Sequence, residues 1–85
     1  MPHYVYILQS ERDGRYYIGE THDVKARLVF HNSGLQRSTR KRIPFRLIHA
    51  EEFADRKLAL IREKQIKGFK GGNSFRKLIE GSSPA

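Results

Sequence analysis

The chain contains no cysteine. That excludes disulfides and thiolate metal sites, and it fits a reducing, intracellular setting. No apolar run is longer than about five residues, far short of the ~20 that cross a bilayer. The opening "MPHYVYIL" has neither the basic start nor the long apolar core of a signal peptide. The four histidines, His3, His22, His31 and His49, lack zinc-finger spacing, so no structural zinc site is expected. Acidic residues are scarce: nine Asp and Glu stand against 17 Lys and Arg, a formal net charge of +8. Such an excess favours a polyanionic partner through counterion release and steering. The plainer alternative is a soluble basic surface. The expectation is a cytoplasmic domain that meets DNA or RNA and no membrane.

What is present organises readily. At 85 residues the chain is one domain. "VYIL" and "YYI" are β-branched and aromatic, which predicts strands over 5–8 and 16–18. Asp13-Gly14 between them predicts a hairpin turn, because Gly accepts positive φ cheaply. "THDVKARLVFHNSG" predicts a helix capped by Thr21 or Asp23 and ended by Gly34. "FRLIHAEEF" predicts a third strand over 45–53. Asp55 predicts a cap for a second helix, Arg56 to about Lys67, with Leu58, Ala59, Ile66 and Phe69 on its apolar arc. "SFRKLIEG" predicts a short helix with Phe75, Leu78 and Ile79 inward. The expected architecture is α+β: a small three-stranded antiparallel sheet flanked by helices, in the order β-β-α-β-α-α. The domain is expected over 1–80, with 81–85 a frayed tail.

Several residues sit awkwardly in a purely structural reading. Tyr17 and Gly19 point to one face, so Gly19 is either a strand-end bulge or a gap beside that phenol. Asp23, Arg27 and His31 share a helix face. They form either a solvated charged stripe or a phosphate-facing Arg with a His neighbour. Glu63 lies at the margin of the second apolar arc, as a paired structural acid or a metal ligand. One carboxylate suffices for Mg²⁺ when water and phosphate supply the other oxygens. Arg62 falls near the arc's centre and is expected to snorkel or to pair with a carboxylate. Arg37, Arg40, Lys41 and Arg42 make "LQRSTRKRIP" a basic loop suited to gripping phosphates.

Together these features resemble the GIY-YIG nuclease family. Its first motif is similar to "YVY" (Tyr4-Val5-Tyr6) and its second to "YIG" (Tyr17-Ile18-Gly19). "DVKARLVFHNSG" is similar to the helix that follows, and "LALIREKQIK" to the Glu-bearing helix. The chain looks most like the small single-domain bacterial members. It resembles the N-terminal nuclease domain of the excision-repair subunit UvrC, and the further domains of UvrC or of homing endonucleases are not expected.

The resemblance implies a DNA endonuclease of the repair or recombination type, directed by structure or damage rather than by sequence. It implies one divalent ion, Mg²⁺ or Mn²⁺, held by Glu63. Tyr17 would be the general base or would orient the attacking water. Tyr6 would hydrogen-bond within the site, Arg27 would stabilise charge on the phosphate, and His31 would be an accessory group. Tyr4 and Tyr16 are left as structural. Asn73 is a candidate match to a family Asn. A lone domain cutting both strands would act as a homodimer.

A neutral phenol is a poor base near pH 7. A nearby cation favours the ionised form. Two departures stand out. Tyr4 occupies the place of the family's Gly. Glu20 follows Gly19 where relatives carry a basic residue, so it would either repel substrate phosphate or help bind metal. Glu20 therefore keeps a second function open, a non-catalytic nucleic-acid-binding module. A third is a protein-interaction domain.

Overall fold

The computed structural model describes residues 1–81, so most of the expected tail lies outside the described residues. The elements run β1 (His3–Ser10), β2 (Tyr16–Thr21), α1 (Val24–Asn32), β3 (Phe45–Phe53), α2 (Arg56–Gly68) and α3 (Asn73–Glu80), with a 3-10 turn at Arg40–Arg42. The fold is α+β, one antiparallel sheet in the order β2-β1-β3.

β1 is central because its apolar run leaves no polar face. Val5 and Ile7 join Ala59, Ile66 and Phe75 in one core, beneath α2 and α3. Tyr6 and Leu8 join Phe45 in a second, packed against Val24 and Leu28 of α1. A strand buried on both faces reads as continuous rather than alternating hydrophobicity.

The connections follow their local chemistry. The β1–β2 loop is longer than a two-residue turn and spans residues 11–15, with Gly14 at φ +73°. Ser10 fixes it: its hydroxyl accepts from the Arg12 and Asp13 amides, both at 3.1 Å, and donates to the Arg42 carbonyl. Asp23 caps α1 by accepting from the Ala26 amide at 3.0 Å, and Thr21 braces that cap by accepting from the Asp23 amide. Asp55 caps α2 in the same way, through the Leu58 amide at 2.9 Å.

One expectation about α2 is corrected. Leu58 is 48% exposed and lies off the buried stripe, which runs through Ala59 and Ile66 to Phe69. At 100° per residue, position 62 falls inside that arc, whereas 58 lies at its edge, about 20° beyond Phe69. Arg62 is therefore drawn inward, and its Nε and Nη2 donate to the two Glu51 oxygens at 2.8 and 3.2 Å. Burial works to raise the Glu51 carboxyl, but hydrogen bonds from Arg62 and His49 outweigh it and hold the group below its usual range. This ion pair ties α2 to β3.

Candidate active site

The site begins with a register. Tyr6 of β1 lies opposite Gly19 of β2, and the Tyr6 ring passes across that glycine. A Cβ at position 19 would stand 2.5 Å from the Tyr6 hydroxyl oxygen and 2.7 Å from Cζ. The gap expected beside Tyr17 is thus not open, because the Tyr6 phenol fills it.

α1 supplies the partners of that phenol. Arg27 Nε donates to the Tyr6 hydroxyl at 3.4 Å, and His31 Nε2 lies 3.2 Å from the same oxygen. His31 Nδ1 lies 3.2 Å from Thr39 Oγ1, which donates to the Gln36 carbonyl at 3.5 Å. Both ends of this chain have fixed polarity: a guanidinium only donates and a carbonyl only accepts. Thr39 spends its proton on Gln36, so it accepts from His31 Nδ1–H; with the ring neutral, Nε2 is bare and accepts the Tyr6 O–H. Tyr17 packs tilted against His31, with ring centroids 4.6 Å apart and planes at 60°, and its hydroxyl accepts from Gln36 Nε2 at 3.4 Å. The i, i+4 pair Arg27 and His31 is thus a joint clamp on Tyr6 rather than a solvated stripe.

The electrostatics separate these groups. Burial pushes the Tyr6 phenol up, the Arg27 hydrogen bond opposes it, and Tyr17 and Glu63 reinforce the rise. Tyr6 is therefore a neutral donor near pH 7. Its hydrogen bond holds the Arg27 guanidinium above its ordinary value. Burial, reinforced by Arg27, pushes the His31 imidazole down.

His31 has no exposed surface and is neutral in the fold. Unfolded, it takes up a proton below ~6.5. The unfolded state thus binds more protons there, and stability is lost as pH falls below ~6.5 and onward through the lower folded value. The thermal midpoint should drop more steeply from pH 7 to pH 5 in the wild type than in His31→Gln. Parallel slopes in the two melting series would refute a buried neutral imidazole.

Glu63 sits apart from this cluster, on α2. Its side chain is 17% exposed, and Oε2 lies 2.9 Å from Lys67 Nζ, one turn on. Its charge nevertheless reaches the Tyr6 hydroxyl. Among the described residues no three acidic or histidine side chains gather into a preformed metal cage. A partly open carboxylate such as Glu63 still suits a hard divalent ion that keeps most of its waters.

Glu20 lies opposite Val5, on the other face of β2 from Tyr17. His3 Nδ1 at 2.9 Å and Arg56 Nε at 3.3 Å bind its carboxylate, so its charge is offset by Arg56. It shares a cleft of about 430 Å³ with Arg27, His22 and Arg56.

In the basic loop, Arg37, Arg40 and Lys41 are exposed. Arg42 is not free: it donates to the Tyr16 carbonyl at 3.1 Å, approaches Asp13 at 3.4 Å and lies over the Phe45 ring. Gln36 and Thr39 are the members of the site that sequence reasoning passes over. Both lie in a stretch read for its charge. The available signal was His31, whose second ring nitrogen needs a partner once the ring is buried. Asn73 opens α3 and is exposed.

Comparison with known proteins places the chain in a family. The GIY-YIG catalytic domain family matches residues 2–75. A UPF0213 protein from Streptococcus pneumoniae is 46% identical over 65 residues, which cover 75% of this chain and 65% of that relative's length. The UPF0213 protein SSP2268 of Staphylococcus saprophyticus is 35% identical over 80 residues, covering 93% and 96% of the two chains. The solution NMR structure of the UPF0213 protein BH0048 from Bacillus halodurans superposes with a TM-score of 0.61 at 35% identity, covering 99% of this chain and 89% of that one. No helix among the described residues is long and apolar enough to cross a membrane. With a family match across nearly its whole length and a solved relative of the same fold, the chain belongs to the GIY-YIG catalytic-domain family.

Proposed function

We propose that this chain is a metal-dependent DNA endonuclease that hydrolyses phosphodiester bonds and is directed by structure or damage, in the manner of repair and recombination enzymes. One observation carries the reading: Arg27 is held by the buried Tyr6 hydroxyl and lines an open cleft, with Tyr17 packed nearby against His31. The +8 charge supplies the attraction to a polyanion.

Each side chain then has a role. Arg27 meets the phosphate and stabilises charge developing on it, a device typically worth ~3 kcal/mol or more. Tyr17 orients the attacking water or takes its proton. Tyr6 and His31 hold Arg27 and the Tyr17 ring in place, and Gln36 holds the Tyr17 hydroxyl. Glu63 would hold the divalent ion, which when bound acidifies water and polarises the phosphate. Arg37, Arg40 and Lys41 grip neighbouring phosphates, which fixes position but reads no bases.

The deciding experiment is nicking of supercoiled plasmid and a branched-DNA panel with Mg²⁺ or Mn²⁺, against EDTA. Glu63→Ala runs alongside, and Mn²⁺ binding is followed by its effect on water relaxation. The wild type should nick only with metal, and Glu63→Ala should lose both nicking and Mn²⁺ binding. Equal nicking by wild type and Glu63→Ala would sink the assignment.

A second reading, a non-catalytic nucleic-acid-binding module, has Glu20 behind it, because this carboxylate lines the same cleft as Arg27. Tight, salt-sensitive DNA binding without cleavage would favour it.

A further inference from the structure

A second cleft, of about 570 Å³, is separate from the one that Arg27 lines. It opens where Tyr16 and Ile18, on the face of β2 away from Tyr17 and Gly19, meet the end of α2 and the start of α3. Its floor is apolar: Ile18, Ile66 and Phe75 belong to the core, and Tyr16 packs edge-on to Phe75 with centroids 4.9 Å apart. Tyr16 is nonetheless 38% exposed, so part of its ring is open to a ligand. Arg15, Lys67 and Lys70 line the same cleft. Its one acid, Asp13, already accepts from the Arg15 amide and approaches Arg42.

Two details make this more than a basic patch. Lys70 has φ +49°, a conformation that L side chains rarely adopt. The fold keeps a lysine there although glycine would sit more easily, and Gly71 follows at φ +74°. Lys67, in addition, is the ion-pair partner of Glu63, so the cleft adjoins the proposed metal carboxylate at a single residue.

An aromatic surface in a cationic groove is the device by which unpaired nucleotides are held, the base against the ring and the phosphate on the cations. The volume falls within the ~300–1,000 Å³ of small-ligand sites. A base paired inside a duplex cannot reach a ring recessed in such a cleft. We propose that this cleft is a subsite for an unpaired nucleotide, so that the substrate is nucleic acid with a single-stranded segment next to the scissile phosphate. The inference rests on the nucleic-acid side of the function proposed above, and names its substrate class.

The test is binding in EDTA, by fluorescence anisotropy, of a short labelled poly-dT strand and of a duplex of equal length. The variants are Lys70→Gly and Tyr16→Leu. Lys70→Gly relaxes the backbone while removing the ammonium, so it keeps the fold even if Tyr16→Leu loosens the contact with Phe75. Each variant should weaken binding of the single strand about tenfold, the scale of one stacked base or one lost phosphate contact, and change duplex binding less than about twofold. Unchanged single-strand binding in Lys70→Gly, or equal losses on strand and duplex, would overturn the subsite. Selective loss in a chain that never nicks with metal would keep the subsite and sink the nuclease.

Discussion

Gly19→Ala should destabilise the protein by ~1–3 kcal/mol, the usual range for overpacking a filled interior. The new methyl would collide with the hydroxyl and Cζ of Tyr6, and neither atom belongs to a flexible chain end. The Tyr6 ring is only 1% exposed and is held by Arg27 and His31, so it has nowhere to swing. For a domain of this size each kcal/mol moves the thermal midpoint by ~4–8 °C, so the fall should be plain in a melt followed by circular dichroism. Tyr6→Leu removes the obstructing atoms, and in that background Gly19→Ala should cost far less. The cycle isolates the contact from any general cost of alanine at this place. Equal losses in both backgrounds would show that the ring does not lie over position 19.

Tyr17→Phe should do the opposite, sparing stability and removing activity. Its ring packs on His31 through carbon atoms that phenylalanine keeps, and its hydroxyl has one long hydrogen bond, 3.4 Å from Gln36. On the nuclease reading the hydroxyl touches the attacking water, and groups in that position typically contribute ~10²–10⁴-fold. A fall of at least ~100-fold in metal-dependent nicking is expected. The melting midpoint should barely move. Tyr6→Phe makes the contrast: it strips a buried hydrogen bond from both Arg27 and His31, and should cost ~1–3 kcal/mol of stability. Nicking at the wild-type rate by Tyr17→Phe would end the assignment of that phenol to the chemistry.

Much of this was legible because local chemistry and tertiary packing agree. Asp55 reads as a cap and Asp23 as one of two candidates beside Thr21, and both aspartates are caps, since a side-chain oxygen one turn ahead of free amides has little else to do. Tyr16 read as structural and does pack on Phe75, although part of it remains open. Arg62, misplaced for a surface residue, found the expected carboxylate in Glu51. The failures lie where a residue's role is set by something distant in sequence. Leu58 looked apolar and near the arc, but the sheet chose the stripe through Ala59 and Ile66. Arg42 looked like its basic neighbours until the hairpin claimed it. Gln36 and Thr39 carry no periodic or charge signal, and became visible only when the loop folded back on His31 and Tyr17.

The strand order bears on how the chain emerges from the ribosome. β1 and β2 close over a short loop, and hairpins of that kind form in ~1–10 μs. The other edge of β1 waits for β3: His3 faces Phe53 and Ser10 faces Phe45. Until that later segment is made, Val5 to Leu8 stand as an unpaired, apolar edge, the kind of surface on which nascent chains join one another. α1 is made in the interval, and by packing Val24 and Leu28 against Tyr6 and Leu8 it covers one face of that strand before its second neighbour arrives.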